Sequence, residues 1–251
     1  MIYFIGAGPG APDLITVRGA ELLSRADMVI YAGSLVNPAL LERCKAGARI
    51  LNSASMTLEE VVEAMAACDR DAVCVRLHTG DPCLYGAIRE QMDRLDALGL
   101  SYEVVPGVSA FCGAAAALPA EYTLPDVSQT VIISRMAGRT PVPERESIRS
   151  LAAHGATMVL FLSSGMIPEL CGELIAGGYA GDTPAAVVYK ATWPDEEVVR
   201  GTLLTLPSLA SHIGRTALVL VGGFLGGEYA RSKLYDPAFS HAFRQAKEEE
   251  P

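Results

Sequence analysis

The sequence predicts an α/β protein of two α/β domains, the first with a largely parallel sheet and the second with a mixed sheet. The first half of the 251 residues alternates short apolar runs with helical patterns, which implies right-handed crossovers between parallel strands. In the second half, two apolar runs are joined only by residues 191–196, which is too short for a helical crossover and indicates a hairpin. A glycine-rich loop at residues 6–10 follows the first apolar run.

The first half contains five predicted strands and the helices that connect them. The strands are Ile2–Ile5, Met28–Tyr31, Arg49–Leu51, Ala72–Leu77 and Tyr102–Val105. The helices are Leu14–Arg25, Pro38–Cys44, Leu58–Ala67, Tyr85–Leu98 and Ala110–Leu118. Loops that follow parallel strands meet at one edge of the sheet, so loops 6–12, 33–38, 79–84 and 106–110 are expected to face one crevice.

The second half repeats the strand pattern with different connections. Its predicted strands are Thr130–Ser134, Met158–Leu162, Ala185–Tyr189, Glu197–Gly201 and Ala217–Gly222. We therefore expect an N-terminal domain at 1–120, a C-terminal domain at 121–228 and a polar tail at 229–251 that closes in Lys247–Pro251. The active site is expected in the cleft between the two domains, where small-molecule sites are commonly built.

The opening loop resembles a dinucleotide-binding turn only in part. Residues 6–11 fit G-x-G-x-x-G/A, but Pro9 and Pro12 delay the helix, and the second strand ends in Ala32 without the acidic residue that holds a ribose. A nucleotide-dependent oxidoreductase is therefore a remote alternative. The absence of a following Gly-Lys-Ser/Thr excludes a P-loop. Asp13 is placed to cap the helix that begins near Leu14.

Four motifs, in order, resemble those of the tetrapyrrole (corrin/porphyrin) methylase family, whose members use S-adenosylmethionine (SAM) and a fold distinct from the usual methyltransferase fold. The similarity spans roughly residues 1–223. The motifs are Gly6–Gly10 followed by Leu14–Thr16, then Gly80–Pro82, Val105–Ala110 and Thr216–Leu218.

The resemblance implies that SAM lies folded between the halves, held mostly by backbone groups. By motif position it implies a set of small or backbone-contacting residues: Pro9, Thr79, Gly80, Asp81, Leu84, Ser109, Ala110, Ser163, Ala191, Thr216, Ala217 and Leu218. The alternative for Asp81 is a carboxylate that only starts a turn. For Ser163 and Ala191, which rest on weaker similarity, the alternative is packing beside a strand.

Three further stretches resemble one branch of the family, the enzymes that methylate C11 of precorrin-4, giving precorrin-5, or of its cobalt form, in cobalamin biosynthesis. They are Tyr31–Pro38, Ser134–Glu144 and Tyr189–Glu196. Uroporphyrinogen-III methylases instead carry an aspartate where this chain has Ala32. The open alternatives are the cobalt substrate, a neighbouring corrin-ring methyltransferase and a tetrapyrrole carrier without activity.

The substrate implied by this branch carries acetate and propionate groups, which guanidinium and ammonium groups bind well. The best candidates are Arg135, Arg139 and Lys190, with Arg18 and Arg145 as further ones. The alternative is that they are solvated surface charges. The catalytic residues stay unknown, because no general base is identified; a structural role is favoured for the histidine at position 78, which precedes Thr79.

Composition limits the other function classes. A net charge of −9 without a basic stripe argues against a nucleic-acid partner. Since no apolar run reaches the roughly 18 residues of a membrane span and no signal peptide opens the chain, we expect a cytoplasmic protein without a membrane partner. The six cysteines form no C-x-x-C pair, so neither a disulfide framework nor a metal site is expected. The family resemblance implies a homodimer.

Overall fold

The computed structural model describes residues 1–246, and the predicted polar end Lys247–Pro251 lies outside the described residues. By the contacts between residues, the chain forms two compact units. The N-terminal unit consists of Met1–Ala117 and Tyr189–Glu197, and the C-terminal unit consists of Leu118–Val188 and the chain from Val198 onward. The predicted domain limits at residues 120 and 228 stay predictions.

The N-terminal unit contains a five-stranded sheet in the order β3-β2-β4-β1-β5, with every described pairing parallel. Its strands are β1 (Ile2–Gly6), β2 (Met28–Tyr31), β3 (Arg49–Asn52), β4 (Cys74–His78) and β5 (Tyr102–Val105). Its helices are α1 (Val17–Arg25), α2 (Leu58–Ala66), α3 (Ile88–Ala97) and α4 (Ala110–Ala117). The predicted parallel sheet is confirmed.

The C-terminal unit contains a second five-stranded sheet in the order β6-β7-β10-β8-β9. Strands β6 and β7 pair in parallel, whereas β7 and β10 are antiparallel, so the predicted mixed sheet is confirmed. The strands are β6 (Val131–Arg135), β7 (Thr157–Phe161), β8 (Pro184–Tyr189), β9 (Glu197–Thr202) and β10 (Ala217–Val221). The helices are α5 (Ile148–Ala152), α6 (Ile167–Ala176) and α7 (Leu206–Leu209).

The predicted capping of the first helix by Asp13 is wrong. The hydroxyl of Thr16 accepts a hydrogen bond from the Gly19 amide at 3.2 Å, and α1 therefore begins at Val17. Asp13 is exposed in the short 3-10 turn Pro12–Leu14, which precedes the cap. The predicted helix at residues 38–44 is also a 3-10 helix, Pro38–Arg43.

Helix α3 begins at Ile88, later than the predicted start at Tyr85. Tyr85 and Ala87 have φ angles of 59° and 49°, in the left-handed region, so a right-handed helix cannot include them. The chain between β4 and α3 is therefore an irregular loop.

Both faces of the parallel sheet are buried. Successive residues of a strand point to opposite faces, and β1 accordingly contributes Ile5 to one core cluster and Phe4 to the other. Burial on both faces is typical of parallel sheets and explains why the strands β1 and β2 are almost wholly apolar. No described helix is both long and apolar enough to span a lipid bilayer.

Two polar side chains of β4 lie in the Phe4 face of this core. Arg76 donates to the carbonyl of Ile30 at 3.1 Å and to Oε1 of Gln91 at 3.2 Å, and burial lowers its pKa to about 10. His78 is only 4% exposed, and its ring centroid lies 6.1 Å from that of Phe4. Burial, together with the charge of Arg76, lowers the pKa of His78 to about 3, so the imidazole is neutral at neutral pH.

We expect His78 to make the fold sensitive to acid. Because the pKa of His78 is far below its ordinary value of 6.5, the unfolded chain binds the extra proton as the pH falls from about 6.5 towards 3, and stability is lost over that range. Between about pH 7.5 and pH 5 this removes roughly 2 kcal/mol from the free energy of unfolding. In urea titrations at both pH values, His78→Gln should lose less stability than the parent chain. An equal loss in both proteins would contradict the assignment.

Candidate functional site

The loops that follow β1 and β4 are joined by backbone hydrogen bonds at the carboxyl edge of the parallel sheet. The Ala7 amide donates to the carbonyl of His78 at 2.7 Å. Beyond it, the Gly8 amide donates to Gly80 at 3.2 Å and the Gly80 amide donates back to Gly8 at 2.9 Å. The predicted convergence of these two loops is therefore present as an antiparallel bridge between Gly8 and Gly80, just beyond the parallel pairing of β1 and β4.

Three glycines at the ends of β1, β4 and β5 are in backbone contact, and we call Gly6, Gly80 and Gly107 the glycine junction. A Cβ atom on Gly6 would lie 2.5 Å from the Cα of Gly107, and one on Gly107 would lie 2.2 Å from the carbonyl oxygen of Gly80. Gly80 also has a φ of +58°, which glycine adopts at no steric cost. Side chains are therefore excluded from this point of the sheet edge.

The carboxylate of Asp81 fastens the junction. Its Oδ2 accepts from the Gly107 amide at 2.8 Å, and its Oδ1 accepts from the Cys83 amide at 2.8 Å. The bond to Cys83 is the turn-starting role named as the alternative, and the bond to Gly107 ties the β4 loop to the β5 loop. Contact between Asp81 and a cofactor stays a prediction.

The Pro9–Ala11 backbone is held from three directions within the N-terminal unit. The side-chain amide of Asn37 donates to the Gly10 carbonyl at 3.0 Å. Residues of the segment 190–196 supply the other contacts: the Ala11 amide donates to Thr192 Oγ1 at 2.9 Å, and Trp193 Nε1 donates to the Pro9 carbonyl at 3.1 Å. The loop is thus a fixed backbone surface.

Eight of the twelve predicted cofactor residues belong to the N-terminal unit, most of them at this sheet edge. They are Pro9, Thr79, Gly80, Asp81, Leu84, Ser109, Ala110 and Ala191. A Cβ atom on Gly113 of α4 would lie 2.8 Å from Cβ of the buried Pro9, so the proline packs directly on that helix. Ser109 and Ala110 are next to the junction, since a Cβ on Gly80 would be 3.3 Å from the Ala110 amide nitrogen.

The remaining four, Ser163, Thr216, Ala217 and Leu218, belong to the C-terminal unit. The hydroxyl of the fully buried Ser163 accepts from the Met136 amide at 2.9 Å and donates to the Phe161 carbonyl at 2.7 Å. This is the packing role named as the alternative for Ser163. Thr216 is exposed with a φ of 56°, directly before β10. The cofactor roles of all four stay predictions.

Arg135 and Arg139 differ in their surroundings. The guanidinium of Arg135 donates to the carbonyls of its own loop, at 3.2 Å for Thr140 and 2.7 Å for Pro141. It therefore shapes the loop on which Arg139 is exposed. Of the further candidates, Arg18 forms an ion pair with Glu103, and Arg145 lies 3.6 Å from Glu146.

Lys190 lies in an aromatic and acidic environment. Its ammonium is 2.6 Å from Asp195 Oδ2 and 5.3 Å from the ring centroids of Tyr189 and Trp193. The hydrogen bond to Asp195 is the main cause that raises the pKa of Lys190, so this cation stays charged at neutral pH. A substrate carboxylate at Lys190 would compete with Asp195.

The side chains of Asn37, Thr192 and Trp193 are missing from the sequence-based candidates, although they hold the Pro9–Ala11 backbone. All three belong to stretches that the sequence singled out by resemblance, Tyr31–Pro38 and Tyr189–Glu196. For Trp193 a second signal is that it is the single tryptophan of the chain.

The residues at this edge fit a cofactor such as SAM. The junction offers backbone groups, its neighbours Ser109 and Ala110 are small, and the carboxylate of Asp81 is already engaged by two amides. A sulfonium donor needs no permanent anion directly against it. Among residues 1–246, no three or more His, Cys, Asp or Glu side chains are grouped to hold a metal ion.

Comparison with known sequences places these features in a family context. Residues 1–207 match the profile of the tetrapyrrole (corrin/porphyrin) methylases. The chain is 51% identical over 249 residues to the cobalt-precorrin-4 C(11)-methyltransferase of Methanocaldococcus jannaschii, covering 98% of this chain and 96% of the relative. It is 49% identical over 247 residues to the precorrin-4 C(11)-methyltransferase of Pseudomonas aeruginosa, covering 97% and 98%.

Solved structures agree with the two-sheet architecture. A crystal structure of a cobalt-precorrin-4 methyltransferase superimposes with a TM-score of 0.87 at 50% identity, covering 90% of this chain and 96% of that one. The uroporphyrin-III C-methyltransferase of Thermus thermophilus gives a TM-score of 0.74 at 26% identity, covering 90% and 93%.

We expect Gly107→Ala to destabilise the fold, because the new methyl group would meet backbone atoms that cannot rotate away. Overpacking of this kind costs about 1 to 3 kcal/mol in the free energy of unfolding. The matched control is Gly172→Ala in α6, where no heavy atom lies within 4 Å of the added Cβ, and where alanine should be neutral or stabilising. Equal urea unfolding curves for the two variants would contradict the junction as a packing constraint.

Proposed function

The chain belongs to the tetrapyrrole (corrin/porphyrin) methylase family, and on that basis we propose that it transfers a methyl group to C11 of precorrin-4, giving precorrin-5, in cobalamin biosynthesis. As a member of this family it is a methyltransferase that uses SAM and releases S-adenosylhomocysteine. Its substrate is a small tetrapyrrole molecule.

The observation that carries the proposal is that the similarity to relatives named for this one reaction extends over nearly the whole chain. Relatives named for precorrin-4 and for cobalt-precorrin-4 both match at about half identity over almost the whole chain. By comparison, a siroheme synthase is 35% identical and matches over 49% of its own length. The similarity therefore favours C11 of the precorrin-4 ring and leaves both metal states as substrates to test.

When bound, SAM supplies a methyl group on a sulfonium, which is an electrophile that needs no further activation. The protein's own contribution is then to orient the donor and the tetrapyrrole relative to each other and to exclude water from the site. The glycine junction fixes the backbone after β1, β4 and β5, and Asp81 keeps the β4 and β5 loops together. The Pro9–Ala11 backbone, restrained by Asn37, provides the surface on which we place the donor.

We assign substrate carboxylates to Arg139 and Lys190. Arg139 is exposed on a loop that Arg135 holds in shape, and Lys190 keeps its charge beside Asp195. In this proposal Arg135 acts through the loop rather than by direct contact. The homodimer and the cytoplasmic location, both expected from the sequence, are part of the same proposal.

The decisive experiment is a methyl-transfer assay with the purified protein. SAM is supplied with precorrin-4 in one arm and with cobalt-precorrin-4 in the other, and the product is analysed by mass spectrometry and NMR. We expect a product heavier by one methyl group, with the new carbon at C11. Transfer to another ring carbon would assign a neighbouring corrin methyltransferase, and no transfer in either arm would refute the proposal.

We expect Arg139→Gln to raise KM for the tetrapyrrole about tenfold, because one charge-assisted hydrogen bond to a carboxylate is lost. The KM for SAM should change little. Arg89→Gln serves as the matched control, since Arg89 is an exposed partner of Asp93 on α3. Steady-state kinetics check both variants, and a KM for the tetrapyrrole that equals that of the control would remove Arg139 from the substrate site.

A further inference from the structure

Trp193, the single tryptophan of the chain, lies against the loop that follows β1. Its Nε1 donates to the Pro9 carbonyl at 3.1 Å. A Cβ atom on Gly10 would lie 2.1 Å from Trp193 Cδ1 and 2.4 Å from its Nε1, so the indole occupies the space that a side chain at position 10 would need. The ring and the loop backbone are therefore in direct contact, and they share a hydrogen bond.

Thr192 makes the neighbouring contact. Its Oγ1 accepts from the Ala11 amide at 2.9 Å, so two consecutive residues of the segment bind Pro9 and Ala11, on either side of Gly10. A Cβ atom on Gly113 would be 3.3 Å from Thr192 Cγ2, which places this side chain against α4 as well. The segment 190–196 thus contacts the Pro9–Ala11 backbone through the indole ring, the indole N–H and the Thr192 hydroxyl.

The segment itself is held in an uncommon backbone conformation. Lys190 and Thr192 have φ angles of 44° and 69°, which non-glycine residues seldom adopt. The turn is closed by hydrogen bonds from the Trp193 amide to the Lys190 carbonyl at 2.9 Å and from the Thr192 amide to Glu196 Oε2 at 2.6 Å. Such strain persists where the surrounding structure fixes it, and it often accompanies a functional position.

We propose that Trp193 is a positioning residue for the methyl donor. Its indole fixes the Pro9–Ala11 backbone in the conformation that receives SAM, without itself taking part in the chemistry. The inference rests on the proposed function, because it requires SAM to lie at this loop. The conformation of the Pro9–Ala11 backbone then depends on a side chain that is far away in the sequence.

Two substitutions separate the contribution of the indole N–H from that of the aromatic ring. Trp193→Phe keeps an aromatic ring against Gly10 but leaves the Pro9 carbonyl without its donor, and we expect the Kd for SAM to rise about tenfold. Trp193→Ala also removes the ring, so the rise should be larger. Phe243→Ala is the control for the loss of an aromatic ring, because Phe243 is 96% exposed in the C-terminal unit. Its Kd should equal that of the parent chain.

Kinetics distinguish positioning from a general structural role. Trp193→Phe should raise KM for SAM while kcat at saturating SAM and KM for the tetrapyrrole stay within about twofold, since the phenyl ring keeps an aromatic face beside Lys190 and only SAM binding needs the Pro9–Ala11 backbone in order. In the parent chain the tryptophan emission reports on this loop directly and should change on titration with S-adenosylhomocysteine. If Trp193→Ala does not fold, as judged by circular dichroism, Trp193→Phe and the emission of the parent chain carry the test.

Calorimetry with SAM distinguishes a failure of the role of Trp193 from a failure of the proposed function. If the parent chain binds SAM but Trp193→Phe binds with the same Kd, the role of Trp193 is refuted and the proposed function stands. Unchanged tryptophan emission despite calorimetric binding, or a fall in kcat with unchanged KM for SAM, also refutes it. If the parent chain does not bind SAM at all, the proposed function fails and the inference fails with it.

Discussion

The close approach of three backbone segments at Gly6, Gly80 and Gly107 is the constraint on which the rest of the site depends. Added Cβ atoms at Gly6 and Gly107 would lie 2.5 and 2.2 Å from backbone atoms of their neighbours, so only glycine permits this approach. Adjacent parallel strands would otherwise separate where their loops diverge. Here the β1 and β4 loops stay joined by the bridge between Gly8 and Gly80, and Asp81 accepts from the amide of Gly107, which joins the β5 loop to them. A fixed backbone edge results, one suited to a ligand that is held by N–H and C=O groups.

Much of this could be predicted from the sequence, because the signals are local. Buried parallel strands are apolar on both faces, and the glycines directly follow them, so the strands and the converging loops follow from the pattern alone. The capping of α1 was mispredicted because Asp13 and Thr16 are both good caps, and the choice between them is set by the 3-10 turn at Pro12–Leu14. The late start of α3 could not be foreseen, because Tyr85 and Ala87 carry no sign of a left-handed backbone.

The contacts that complete the site are long-range, and this is why the sequence did not identify them. Trp193 and Pro9 are 184 positions apart, and nothing near either residue indicates that an indole would donate to that carbonyl. The cations illustrate a related limit. Arg135 and Arg139 look equivalent in the sequence, but the carbonyls of Thr140 and Pro141 engage the guanidinium of Arg135. Carbonyl groups of a loop can accept the hydrogen bonds of a nearby guanidinium. Only the structure shows that they bind Arg135 rather than Arg139.

The most direct measurement is a crystal structure of the protein with S-adenosylhomocysteine. It should place the thioether against Pro9 and the backbone of Gly80 and Ser109, with the indole of Trp193 still bonded to the Pro9 carbonyl. A complex in which the adenosine and the thioether bind away from the loops after β1, β4 and β5 would contradict the account, whatever the activity of the protein.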